Sequence, residues 1–311
     1  MGRYLDGMMG MVAGDALGVP VEFTSQEERT QDPVTGMREY GTYLQPAGTW
    51  SDDSSMALAA LASLSCGQLD FDDVMRRFEA WLREGEYTPD GDTFDVGNTC
   101  YRAVLAYARD GDWRTCGQSG EKDNGNGSLM RIMPFCLYAY ERQQEGMSDR
   151  EALALIHDAS ALTHAHDRSK IACGLYYFMV RAVLDGKGRP LSGLLQEGID
   201  EGFAFYRENP ELAHYGKVKD LKALQDMPRG SISGSGYVVR TMEAVLWSLM
   251  NGKDYRETAL LSVNLGDDTD TVAAIAGGLA GLYYGYEDIP AEWLSVIRKR
   301  EWIEELCGKM E

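Results

Sequence analysis

The chain of 311 residues is 44% hydrophobic and 25% charged, which is ordinary soluble globular composition and enough to bury a sizeable core in one large domain or two smaller ones. A formal net charge of −19 excludes nonspecific attraction to nucleic-acid phosphates or anionic lipid, both of which need clustered Lys and Arg. An anionic substrate would therefore need local help, from a metal ion or from helix N-termini.

The opening stretch MGRYLDGMMGMVAGDALG has no basic leader region and is interrupted by Asp6 and Asp15, and no apolar run approaches membrane-spanning length, so a cytoplasmic, membrane-free protein is expected. From there the apolar periodicity is helical. Residues at i, i+3 and i+4 predict helices over 54–64, 71–85, 100–111, 151–163, 169–186, 237–252 and 271–285, with Gly85, Gly186 and Gly252 as C-terminal stops. Alternating strand patterns are scarce. Loops rich in Gly, Asp, Asn and Pro occupy 24–48, 86–98, 117–127 and 226–236, and loops of that length in a compact domain point to function. No Pro- or Ser-rich linker divides the chain, which reads as one all-α domain over 1–311. The run Ala276-Gly277-Gly278-Leu279-Ala280-Gly281 predicts helix backbones in close approach. Six scattered cysteines without a CxxC pair or a nearby zinc-spaced His read as reduced thiols.

Two segments stand out. In 49-TWSDDSSM-56 and 266-GDDTDTVAA-274, consecutive carboxylates and hydroxyls immediately precede small-residue apolar helices. Either alone reads as an N-cap, because Ser, Thr and Asp accept from the orphan N–H groups of a first turn. A cap uses one oxygen, however, whereas each cluster offers several acids that repel one another without a cation. Brought together, they would make an all-oxygen cage suited to Mg²⁺, Mn²⁺ or Ca²⁺ rather than Zn²⁺.

With these clusters, the motifs GMVAGDALGVPVEF (10–23), WSDDSSMAL (50–58), FDVGNT (94–99), GNGSLMRIMP (125–134), THAH (163–166), SGYVVRTMEAVLW (235–247) and GDDTDTVAAIAGGLAGLYYG (266–285) occur in one order along nearly the whole chain. Together they resemble the ADP-ribosylglycohydrolase family, also described as the dinitrogenase-reductase-activating glycohydrolase type. The resemblance implies an orthogonal multi-helix bundle with a di-metal cleft holding two Mg²⁺ or Mn²⁺. It implies metal ligands at Ser51, Asp52, Asp53, Asp268, Asp270 and Thr271, catalytic acids among Glu22, Asp53 and Asp95, and substrate contacts at Asn98, Gly127, Ser128, Met130, His164, His166 and Tyr237. Ser51 stands where the family commonly has Thr and Asp267 where it often has Gly; Arg240 departs from the usual acidic or neutral residue.

The residues themselves leave alternatives. Glu22 reads equally as a solvated residue after Pro20, 125–127 as an ordinary Gly turn, His164 and His166 as buried or capping imidazoles, Asp95 and Asn98 as turn formers, Tyr237 as a core aromatic, and Arg131 as a structural ion-pair partner. The implied function is metal-dependent hydrolysis of the ribosyl bond of an ADP-ribosylated protein side chain, arginine among the candidates, or of a free ADP-ribosyl compound, by a monomer. An inactive ADP-ribose-binding member of the same fold and a two-metal phosphoesterase are the other readings. Whether 24–48 forms a lid is left to the structure.

Overall fold

The computed structural model describes residues 2–311. The described residues form α-helices joined by short 3₁₀ turns, with no sheet and three isolated β-bridges. All seven expected helices are present, as Asp52–Leu64, Phe71–Glu84, Asn98–Asp110, Asp149–Ala161, Asp167–Asp185, Val238–Asn251 and Thr269–Tyr284. Other substantial helices are Arg3–Gly18, Met133–Gln144, Leu191–Phe205, Tyr255–Val263 and Arg300–Gly308. The Arg3–Gly18 helix escapes a search for amphipathic periodicity for a physical reason. It is buried on nearly every side, so its sequence has no polar stripe to contrast with an apolar one.

That helix pairs along its length with Thr269–Tyr284, and the glycines explain how. A Cβ on Gly10 would lie 2.3 Å from the Gly277 carbonyl oxygen, one on Gly14 2.1 Å from that of Ala273, and one on Gly281 2.2 Å from that of Asp6. Spacings of four residues on both helices thus make a seam of backbone against backbone. The expectation of close approach at 276–281 is met, with the N-terminal helix as partner. The seam ends where Gly18 packs against the Asp270 backbone, so it sets the Asp15 turn beside the start of the Thr269 helix.

The three glycine stops differ. Gly85 ends its helix in the left-handed region at φ 69°, whereas Gly186 and Gly252 have negative φ. These two are needed for room. A Cβ would meet Leu194 Cδ2 at 2.1 Å from Gly186 and Thr258 Oγ1 at 2.2 Å from Gly252. Of the expected loops, 24–48 contains the short helix Gln26–Gln31, capped by a reciprocal Ser25–Glu28 box, and a 3₁₀ turn at Gly41–Tyr43. The 117–127 loop is pinned at both ends. Gln118 N–H donates to Thr163 O and Ala165 N–H to Gln118 O, while Asn126 N–H donates to Gly236 O and Val238 N–H to Asn124 O.

Candidate active site

The two acidic clusters meet. The Thr271 hydroxyl donates to Asp53 Oδ1 at 3.2 Å across 218 positions of sequence. Carboxylate oxygens of Asp15, Asp53 and Asp270 lie within 4.8 Å of one another, as do those of Glu22, Asp268 and Asp270. Asp52 and Asp268 line the same cleft, of about 350 Å³, with Glu22, Asp95, Asn98 and Thr271. Convergence follows from the seam just described and from the cap of the Asp52 helix. Ser51 Oγ accepts from Asp53 N–H at 3.3 Å, turning Asp52 and Asp53 into the first helical turn.

Asp15 is the residue that sequence reasoning left out of the site. Fully buried, it accepts from Ser51 N–H (2.9 Å), Ser54 N–H (3.0 Å) and the Ser54 hydroxyl (2.5 Å), and so caps the Asp52 helix from a different helix. The signal was a lone carboxylate inside the otherwise apolar MMGMVAGDALG. Burial pushes Asp15 up to about 6, against the pull of its hydrogen bonds from Ser54 and Ser51. Burial likewise raises Asp52, Asp53 and Asp270 well above the usual carboxylate range, with the neighbouring acids adding to it. Asp95 and Asp268 are also raised, again chiefly by burial. This much desolvated like charge needs protons or cations. Asp270 Oδ2 and Glu22 Oε2 are buried acceptors that receive no hydrogen bond. The donor set is wholly oxygen and fits hard divalent cations.

Glu22 is buried, so the solvated reading is overturned; burial and the adjacent Asp95 push it up to about 9. Its segment is locked to the second cluster, because Phe23 N–H donates to Asp267 O and Asp267 N–H to Thr24 O, both at 2.7 Å. Asp267 itself is exposed and has φ 60°, a conformation that glycine adopts freely and Asp tolerates, which accounts for an acid at this position without a ligand role. Asp95, at φ 54°, accepts from the Tyr43 hydroxyl at 2.6 Å. Tyr43 is a second site residue that nothing in its sequence context singles out.

The Gly125–Gly127 turn forms the opposite wall with Met130 and His164. Asn126 Nδ2 donates to Asp268 Oδ2 at 2.8 Å, and a Cβ on Gly127 would lie 2.8 Å from both Cys100 Sγ and His164 Cε1. Arg131 has no carboxylate partner. Its Nη2 donates to Thr163 Oγ1 at 2.8 Å, and Thr163 Oγ1 lies 2.9 Å from His164 Nδ1. A guanidinium can only donate, so the Thr163 oxygen accepts from it, while the same oxygen shares a hydrogen bond with Nδ1 that sets Nε2 beside the Gly turn. Burial, with Arg131 adding to it, lowers His164 to about 3 and keeps the ring neutral.

Three expected substrate contacts fall elsewhere. Ser128 is fully buried and accepts from the Ser160 hydroxyl at 3.0 Å. His166 caps the Asp167 helix by accepting from Arg168 N–H at 3.2 Å, and Tyr237 sits under Arg168, whose Nη1 donates to its hydroxyl at 3.2 Å. None of the three is among the residues that line the cleft. Arg240 pairs with buried Glu243 at 2.7 Å, also away from the cleft.

A family description, ADP-ribosylglycohydrolase, matches residues 1–311. The chain is 31% identical over 311 residues to ADP-ribosylarginine hydrolase Tri1 of Pseudomonas putida, covering 99% of this chain and 77% of that one. It is 31% identical over 303 residues to the ADP-ribosyl-[dinitrogen reductase] glycohydrolase of Rhodospirillum rubrum, covering 94% and 89%. A solved structure, an ADP-ribosylglycohydrolase-related protein complex, superposes with a TM-score of 0.80 at 33% identity over 99% of this chain and 96% of that one.

Proposed function

We infer that this chain, which belongs to the ADP-ribosylglycohydrolase family and hydrolyses ribosyl bonds, holds two Mg²⁺ or Mn²⁺ ions and releases ADP-ribose from modified arginine. The observation that carries the metal reading is the meeting of the two acidic clusters at Thr271 and Asp53, with a buried Asp270 oxygen left without a donor. Asp52, Asp53, Asp268, Asp270 and Thr271 would hold the ions. Ser51 would complete the set by turning the hydroxyl that now caps its helix. Bound ions supply positive charge that orients ribose hydroxyls and a water and relieves repulsion among the acids. The arginine preference rests on the strongly acidic cleft, which complements a guanidinium, and on the likeness to a hydrolase named for ADP-ribosylarginine.

The chain's own groups divide the proton work. Glu22, held protonated by burial, is the acid; Asp95, held by the Tyr43 hydroxyl, is the base. Water oxygen bonds to C1″ as the C1″–N bond breaks, and the bond pair leaves with nitrogen. The water proton passes to Asp95, the Glu22 proton to the departing nitrogen, and arginine leaves as guanidinium. Asp53 and its neighbours stabilise the oxocarbenium-like charge that develops on ribose. Asn98 and Met130 line the cleft with the Gly127 turn, and His164 presents Nε2 to the ligand there.

The test is ADP-ribose release from arginine-, serine- and O-acetyl-linked substrates with Mg²⁺, with Mn²⁺ and with chelator. Release is expected only with metal and fastest from arginine. Asp52→Asn combined with Asp270→Asn should abolish it, and undiminished turnover in that variant or in chelator would sink the metal reading.

A further inference from the structure

Among the described residues seven large apolar side chains stand exposed, and five of them lie in the cleft wall or on segments that adjoin it. On one lip are Phe23, 69% exposed, Tyr40 and Leu44, 76% exposed. Phe23 itself lines the cleft and meets Tyr43 edge to face at 6.4 Å, placing the 40–44 turn beside it. On the other lip, Asn98, Thr99 and Cys100 line the cleft at the start of the Asn98–Asp110 helix, and Tyr101 and Leu105 follow along that helix, one turn apart, facing solvent.

The backbone adds an independent observation. Phe23, Tyr40 and Leu44 have φ of 62°, 66° and 56°, a region that bulky residues rarely enter and that costs of order 1–3 kcal/mol each. Backbone hydrogen bonds from Phe23 N–H to Asp267 O, Tyr40 N–H to Gln45 O and Leu44 N–H to Gly41 O hold these turns and so keep all three side chains facing water. On the hydrolase reading ADP-ribose fills the cleft and its attached group points out of the mouth, so a small ligand does not account for these side chains. A second copy of the chain seated on both lips would close the mouth against substrate.

We propose that the two lips are a docking surface for the polypeptide that carries the ADP-ribosyl group, and that they recognise apolar side chains flanking the modified residue. The proposal rests on the hydrolase reading above and gives that reading a sequence preference. Exposed aromatic and aliphatic groups around a polar site are what peptide recognition uses: the acidic cleft takes the modified side chain, and the lips take its neighbours.

The experiment compares three substrates sharing whichever linkage the wild-type enzyme cleaves: a short peptide with Leu and Phe around the modified residue, the same peptide with Ser there, and the free ADP-ribosyl amino acid. The apolar peptide is expected to exceed the Ser peptide in kcat/KM by about tenfold. Leu44→Ser and Tyr101→Ser should erase most of that advantage while leaving the free compound within about twofold. Equal kcat/KM for the two peptides, an advantage that survives both substitutions, or a loss shared equally by all three substrates overturns the docking surface and leaves the hydrolase standing. Failure of wild-type enzyme on every substrate removes the hydrolase reading and this proposal together.

Discussion

Arg131 is a cation at the centre of an acidic protein with no acid beside it. Its charge is met by the Ala159 carbonyl, the Thr163 hydroxyl and the face of Phe78, and the same Thr163 oxygen is hydrogen-bonded to His164 Nδ1. Burial keeps the His164 ring neutral, and Thr163 fixes which edge of it faces the cleft. Thr163→Val breaks this relay of hydrogen bonds and frees the ring to turn. We expect KM for an ADP-ribosylated substrate to rise about tenfold, the value of one hydrogen bond to a charged oxygen, with kcat within about threefold. Thr163→Ser should restore KM, and steady-state kinetics on the three proteins checks it. Equal KM for Val and Ser variants would remove the relay from substrate binding.

At the scale of elements, the seam between Arg3–Gly18 and Thr269–Tyr284 positions the acids. Gly14→Ala sets a methyl 2.1 Å from the Ala273 carbonyl oxygen, where backbone has to move. The expected cost is about 1–3 kcal/mol, read as a lower melting temperature, together with weaker Mg²⁺ affinity because Asp15 and Asp270 are carried on the two helices that part. Gly193→Ala, an open helical position with nothing within 4 Å, is the control and should leave affinity unchanged. The helices with a polar face, such as Phe71–Glu84, were legible in the sequence because solvent and core alternate around them. The N-terminal helix was not, since burial on all sides erases the alternation. The clusters at 51–53 and 268–271 were legible as helix starts, and their oxygen chemistry followed. Their meeting was not, because it depends on a contact spanning 218 positions. The contacts of Ser128, His166 and Tyr237 within the protein were not legible either, for a related reason. A motif fixes the order of residues along the chain, while which side of the turn each faces is decided by Ser160, Arg168 and the packing around them.

For the whole molecule, the massed carboxylates link stability to pH and metal. Asp15 and Glu22 have folded-state values raised to about 6 and about 9, above their unfolded 3.8 and 4.5. The folded state then binds more protons than the unfolded one between those limits, so the contribution of these groups is fully present below about pH 4 and is lost as pH rises through 6 and 9. In chelator, the melting temperature should fall from pH 5 to pH 9 beyond what surface charge explains. Mg²⁺ should restore it, by an increment that grows with pH, since the ions bind the ionised acids. Thermal unfolding across that range, with and without Mg²⁺, measures both; a metal increment independent of pH would contradict the coupling.

The seam has one more consequence, for biosynthesis. Its first half leaves the ribosome at once and its second half nearly last, and at about 5–20 residues per second the interval is roughly 13–50 s. Throughout it the MMGMVAGDALG helix lacks the neighbour against which it packs, leaving a greasy segment on a nascent chain. Chaperone capture should fall on this segment, and a chain stalled short of residue 269 should be both insoluble and unable to bind Mg²⁺.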